Sequence, residues 1–353
     1  MRSDTELESD FYKDKIILVT GGAGSIGSQL VRRLLDLEPN AVRVLDNNET
    51  GLFDLGKDLQ SDKIRLFIGD MRDDNRLKRA LEGVDIVFHA AALKHVPLCE
   101  HNPFDAVKTN VLGTQNLMDA ALDKEVDKVI LISTDKAVNP SNVMGATKLL
   151  AERLTISANY YRGNRKTAFS CVRFGNVLNS RGSVIPLFKK QIEEGDEVTL
   201  TDPEMTRFVM SIPKAVDLIL KVGEIAQGGE IFILKMPVIK ISDLAEVMVK
   251  KLAPLSGRDP THMRIKTTGI RSGEKLYEKL MTSEESRNAY EDGSMLVIVP
   301  QDPELRRETT QLQYLTFRKT EMKGYSSNDV EPLTKSEISS LLEELNLEHS
   351  PDE

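Results

Sequence analysis

The chain has little of what marks an exported or membrane-embedded protein. Two cysteines, Cys99 and Cys171, stand among 353 residues, too few for a disulfide framework. Both lie in apolar segments and read as buried free thiols, which suits a reducing cytoplasm. The longest apolar runs, such as the one around Ile130–Ile132, fall far short of the roughly 20 residues a membrane helix needs. The opening MRSDTELESDFYKDK is charged and lacks the apolar centre of a signal peptide. A net charge of −8 argues against a nonspecific nucleic-acid binder. There are no internal repeats and no low-complexity tract. One more absence is local. Enzymes that oxidise alcohols often carry Tyr and Lys four residues apart on one helix. In STDKAVNPSNVMGATK (133–148) Lys148 is present, but Met144 occupies the tyrosine position. No other tyrosine has a lysine four places on. Methionine cannot take a proton, so either the chain is inactive or its acid–base work lies elsewhere.

What is present is a regular alternation. KIILVT (15–20), VRVLD (42–46), IRLFIGD (64–70), VDIVFHA (84–90), DKVILIS (127–133) and AFSCVRF (168–174) read as strands. Amphipathic segments lie between them. In 102–124, Ala106, Val107, Val111, Thr114, Leu117 and Met118 fall near helical spacing. This rhythm predicts an α/β fold, a Rossmann-type doubly wound parallel sheet with helices on both faces. Continuous apolar runs suit strands covered on both sides. The length allows two domains at roughly 100–200 residues each. The expected division is a charged arm at 1–14, a dinucleotide-binding domain at 15–176, a smaller α/β substrate lobe mainly at 177–325, and a polar tail at 326–353. The lobe should hold a helix near 184–194 and short strands at VTL and EIFIL, some of its elements returning to the main sheet. In the tail, TKSEISSLLEEL pairs Thr334 with Glu337 as a capping box. Ile338, Leu341, Leu342 and Leu345 give it one apolar face for docking.

TGGAGSIG (20–27) follows the first strand and opens a helix. Gly21 allows the tight turn and Gly24 lets a pyrophosphate approach the backbone. Gly27 lets helix and strand pack closely, and the helix start at Ser25 and Ile26 supplies N–H donors. Asp46 ends the second strand, about 20 residues on, where a carboxylate binds the ribose 2′-hydroxyl of NAD. It would repel a 2′-phosphate, and DNNETG offers no Arg or Lys in compensation. NAD is the expected cofactor, with NADP as the alternative.

At this point the chain resembles the extended short-chain dehydrogenase/reductase superfamily, and within it the UDP-N-acetylglucosamine 4,6-dehydratases of surface-sugar pathways. The resemblance is carried by TGGAGSIGSQL, HAAALKHVP (89–97), KTNVLGTQN (108–116), STDKAVNPSNVMGATK, VRFGNVLNSRGSVIPLF (172–188), DPEMTRFVMS (202–211) and IRSGEKLYEKL (270–280). It covers residues 15 to 281, and some members also carry Met at the Tyr position. It implies that Asp70 contacts the adenine, with Met71, Ala90, Ala91 and Ala92 along the cofactor channel. Lys94 and Asn110 would border the active site between cofactor and substrate. Asn176, Arg181, Arg207, Arg271 and Glu274 would hold the UDP, since arginine pairs bidentately with phosphate. It also implies a homo-oligomer, a dimer or larger.

Strand DKVILIS ends at Ser133, and ligands sit at the carboxyl ends of strands in such sheets. Thr134, Asp135 and Lys136 therefore occupy the place where substrate meets nicotinamide. Dehydration across C5 and C6 needs oxidation at C4, a base for the C5 proton, an acid for the C6 hydroxyl and hydride return to C6; no metal is required. Lys136 is the expected base, its pKa lowered by burial and by Lys148. Asp135 is the expected acid. Thr134 can hydrogen-bond O4, and Lys148 can orient the nicotinamide ribose. Met144 is then only a neighbour that fills space. Two rivals stand beside this reading. One is another step on the same sugar, such as epimerisation or 5,6-ene reduction with C4 oxidation. The other is a noncatalytic NAD-binding regulator or scaffold.

Overall fold

The computed structural model describes residues 10–180, 182–302, 305 and 317–345. All six expected strands form: β1 (Ile16–Thr20), β2 (Ala41–Asp46), β3 (Ile64–Ile68), β4 (Ile86–His89), β5 (Lys128–Thr134) and β6 (Ala168–Phe174). Every residue of β4 and β6 is buried, as mostly apolar strands are when helices cover both faces, and the polar Ser170 and Arg173 of β6 are paired with Glu230 and Glu152. The chain then continues through β7 (Asn176–Val177), β8 (Glu197–Leu200), β9 (Thr206–Met210), β10 (Ile231–Leu234), β11 (Val238–Lys240) and β12 (Arg264–Thr267). β13 (Lys279–Met281), β14 (Ala289–Glu291), β15 (Met295–Ile298), β16 (Arg318–Lys319) and β17 (Tyr325–Ser326) follow. One ten-stranded sheet runs β16-β14-β15-β10-β6-β5-β4-β1-β2-β3. From β10 to β3 its neighbours are parallel, and β15, β14 and β16 close one edge antiparallel.

Four strands of this sheet come from beyond residue 177. β10 and β15 are wholly buried and apolar, and pairing beside β6 satisfies their backbone groups and covers their side chains together. At the other end of the chain, Tyr12 lies within the charged first segment yet is fully buried. Its hydroxyl donates to the Leu220 carbonyl at 2.6 Å.

The helices that bear on the site are α1 (Ser25–Leu35), α2 (Val143–Tyr161), α3 (Val184–Glu194), α4 (Ile212–Ile225), α5 (Ile241–Leu255) and α6 (Lys335–Glu344). α4 leaves the lobe and packs back against α1. The lobe's own core joins α3 and α5 through Ile185, Phe188, Leu244 and Met248. α6 docks there through Ile338 and Leu342, with Leu341 and Leu345 partly buried beside them. Its capping box is complete, Thr334 and Glu337 each bonding the other's backbone. The continuous helix expected at 102–124 is corrected. Residues Val107–Leu112 form a π-helix between two α segments, Pro103–Ala106 and Gly113–Asp123. The wider turn rotates Val107 into solvent and brings Asn110 inside.

Candidate active site

The carboxyl ends of the parallel strands open on a cavity of about 700 Å³. Its first half is a cradle. Gly21 has φ +69°, and a Cβ there would lie 2.6 Å from the Ala91 nitrogen. A Cβ on Gly27 would lie 2.2 Å from the Gly21 carbonyl oxygen. Only glycines let the loop turn, pack on Ala90 and Ala91, and start α1 at this depth. Gly24 caps α1 with no side chain in the way, and the helix start at Gly24, Ser25 and Ile26 lines the cavity, where its dipole favours an anion. Asp46 accepts from the backbone nitrogens of Ala23 and Asn48, both at 3.0 Å, which fixes its carboxylate at the end of β2. Ser25, Ile26, Met71 and Ala92 also line this half. Asp70 lines it too, its carboxylate bound by Arg72 at 2.8 and 2.5 Å, which holds its pKa below the ordinary range. The cradle and the exposed helix start fit a dinucleotide.

The second half gathers Lys94, Asn176, Arg207, Arg271 and Glu274 from distant parts of the chain. Arg181 lies outside the described residues. Arg207 and Glu274 brace the lobe's own backbone. Arg207 donates to the carbonyls of Thr206, Lys275 and Leu276 at 2.8 to 3.1 Å, fastening segment 271–276 to β9. Glu274 accepts from the Arg271 backbone nitrogen at 3.2 Å. Ser141 and Asn142 both donate to the Gly273 carbonyl, and Lys275 donates to that of Val138. The lobe is thereby tied to the loop that follows the Asp–Lys pair.

Between the halves, β5 delivers Thr134 and a short 3₁₀ turn carries Asp135 and Lys136. Thr134 Oγ donates to Asp135 Oδ1 at 2.9 Å, and Lys136 Nζ donates to the same oxygen at 2.9 Å. Lys136 also donates to Asn176 Oδ1 at 3.3 Å. Thr134 and Lys136 line the cavity. Asp135 is fully buried behind them and meets it only through those two neighbours. The expectation for Lys136 is corrected in sign. Burial does pull its pKa down, but Asp135 and Glu278 outweigh that and raise it, while the cation that opposes them is Arg207. In the free protein Lys136 is an ammonium. Lys148 behaves otherwise. Its Nζ donates to the Ile132 carbonyl at 2.7 Å, and burial brings its pKa down to about 8.

Asn110 does not line the cavity. Its carboxamide bonds the Leu93 backbone at both ends and Thr147 Oγ1, so it braces the wall from behind. Met144 fills an apolar corner with Cys99 and Ala106. Both cysteines are buried free thiols, and burial raises the pKa of each.

Residues 17–300 match the family described as polysaccharide biosynthesis protein. The chain belongs to that family. A relative from Methanocaldococcus jannaschii, named an uncharacterized membrane protein, is 59% identical over 96% of this chain and 98% of its own. The Campylobacter jejuni UDP-N-acetylglucosamine 4,6-dehydratase (inverting) is 43% identical over 82% of this chain and 84% of its own. A Rickettsia bellii relative named UDP-glucose 4-epimerase is 40% identical over 97% and 98% of the two chains. The solved structure of Pen from Bacillus thuringiensis aligns with a TM-score of 0.88 at 42% identity, covering 96% of this chain and 99% of that one. Among the described residues, no helix is long and apolar enough to cross a membrane.

The cavity holds one acid to which motif reasoning gave no role. Glu278 lines the cavity, is buried, and lies 3.8 Å from Lys136 Nζ. The signal available was its place in IRSGEKLYEKL, four residues beyond Glu274.

Proposed function

We propose that the protein is an NAD(P)-dependent nucleotide-sugar 4,6-dehydratase. Its substrate is UDP-N-acetylglucosamine and its product a UDP-4-keto-6-deoxy-N-acetylhexosamine. The observation that carries this is the Thr134–Asp135–Lys136 chain of hydrogen bonds beside a dinucleotide cradle. A dinucleotide held by the Gly21–Gly27 cradle and Asp46 would supply oxidation at C4 and reduction at C6. The other steps fall to side chains. Thr134 takes the O4 proton and passes its own to Asp135, the route that Met144 cannot provide. Asp135, now an acid, returns that proton through Thr134, which protonates the departing C6 hydroxyl. Lys136 removes the C5 proton, and Lys148 keeps positive charge near the forming ketone. The lobe of residues 177–325 holds the uridine diphosphate, with Arg271 and Asn176 at the cavity wall.

A 4-epimerase would leave the C5 proton and the C6 hydroxyl in place, and needs no acid–base pair beyond C4. Proton NMR of the product decides: a C6 methyl doublet supports the dehydratase, and its C5 coupling reports any inversion there. A UDP-galactose-type product would overturn it. Leu98, Phe104, Leu112 and Leu150 are exposed apolar residues on the helices of 96–123 and on α2. Together they support a homo-oligomer joined across those helices, which light scattering would measure.

A further inference from the structure

Glu278 combines three features. Its backbone is held by Ser326 and Ser327, which bond its nitrogen and carbonyl at 2.9 to 3.2 Å. Its side chain is buried, with Oε1 3.8 Å from Lys136 Nζ and Oε2 3.7 Å from Lys275 Nζ. Oε2 has no hydrogen-bond partner. Lys136 thus lies between two carboxylates, Asp135 on one side and Glu278 on the other.

Counting protons shows why two are needed. On the dehydratase reading, on which this rests, Lys136 must lose a proton to become the C5 base. O4 must also lose one. Met144 accepts neither, and Asp135 can hold only one of them. We propose that Glu278 is a positioning residue that receives the Lys136 proton, so that the C5 base is unmasked only after C4 has been oxidised.

The sequence of transfers balances. The O4 proton moves to Thr134 Oγ1 as the Thr134 proton moves to Asp135, which becomes neutral. The Lys136 ammonium then faces one carboxylate instead of two. An Nζ–H bond breaks and an O–H bond forms on Glu278. The freed Nζ lone pair takes the C5 proton. The C5–H electrons form the C5–C6 double bond, the C6–O bond breaks, Thr134 protonates the hydroxyl that leaves as water, and Asp135 gives its proton to Thr134. When C6 is reduced, Lys136 returns its proton to C5, and Glu278 then returns its own to Lys136. Burial raises the Glu278 carboxyl pKa, which favours its holding a proton, while Lys136, Arg207 and Lys275 oppose this. The order is chemically useful, because the C5 proton is acidic only beside a C4 ketone.

Glu278→Gln keeps the shape and cannot accept the proton. With UDP-N-acetylglucosamine the variant should still oxidise C4, seen as reduced-nicotinamide absorbance in a single turnover. Exchange of C5–H with solvent deuterium and release of keto sugar should fall on the order of 10²–10⁴-fold. Affinity for UDP should be unchanged by calorimetry. Glu278→Asp, which keeps a carboxylate near Lys275, should recover part of the exchange. Exchange and release by Glu278→Gln at the wild-type rate would overturn the proposal. So would an equal loss of oxidation and elimination, which marks a merely structural side chain. A wild-type protein that makes no keto sugar would remove the dehydratase reading and this role with it.

Discussion

At the scale of the residue, the proposed chemistry concentrates on three consecutive side chains joined through one carboxylate oxygen. Asp135→Asn with Lys136→Ala removes both elimination groups and leaves the cradle intact. This double variant should bind UDP-N-acetylglucosamine and release almost no 4-keto-6-deoxy sugar, since each lost acid or base typically costs on the order of 10²–10⁴ in rate. Near-normal turnover would sink the assignment. Met144→Ala should keep most activity, because its sulfur handles no proton and the side chain is an apolar part of the cavity wall, packed on Cys99 and Ala106. Lys148 gives a second expectation. Its pKa is lowered to about 8 from 10.5, chiefly by burial, so the unfolded chain binds more protons between those values. Stability therefore rises with pH across that window, and the penalty of the buried charge is fully present below it. Relative to Lys148→Met, the wild type should gain about 2 kcal/mol between neutral pH and pH ~10, at 1.36 kcal/mol per pKa unit. Urea midpoints of the two proteins at both pH values would test this, and a gap independent of pH would refute it.

Elements, rather than single residues, decide how closely these groups approach. The first turn of α2 lies on the Asp135–Lys136 turn, and the contact is at Gly145, where a Cβ would sit 2.3 Å from the Lys136 carbonyl oxygen. Gly145→Ala favours the helix intrinsically but must push backbone against backbone. Overpacking of this kind costs roughly 1–3 kcal/mol, so the variant should melt lower and lose elimination more than UDP binding. Unchanged turnover would show that α2 can shift freely. The strands were legible because strands covered on both faces are mostly apolar, as β1 and β4 to β6 are, while the edge strand β3 keeps apolar residues despite its exposure. The Gly loop, Asp46 and Thr134–Lys136 were legible because neighbours in sequence remain neighbours in the site. The π-helix at Val107–Leu112 was not, since an i+5 turn has no distinct apolar period. Nor was the charge state of Lys136, which depends on Glu278, 142 positions away in sequence (278 − 136).

At the scale of the whole molecule, the two halves are locked by a buried ion triad. Arg173 on β6 donates to both oxygens of Glu152 on α2 at 2.8 and 2.7 Å. It also reaches Glu285, beyond β13, at 2.9 Å, and the Leu280 carbonyl at 3.2 Å. Burial alone would favour loss of the Arg173 charge, but the two carboxylates outweigh it and hold the guanidinium protonated. Glu152 is one turn beyond Lys148, and Leu280 lies two residues past Glu278, so one arginine ties α2 to the segment bearing the proposed proton acceptor. Arg173→Met keeps much of the volume and strands two carboxylates. Removing one partner of a buried pair costs about 3–5 kcal/mol, mostly from the charge left behind. The triple change Arg173→Met, Glu152→Gln, Glu285→Gln should therefore be more stable than Arg173→Met alone, despite altering more residues. Denaturant midpoints of the two variants would decide: if the triple variant were the weaker, the triad would be holding the halves through geometry and not through balanced charge.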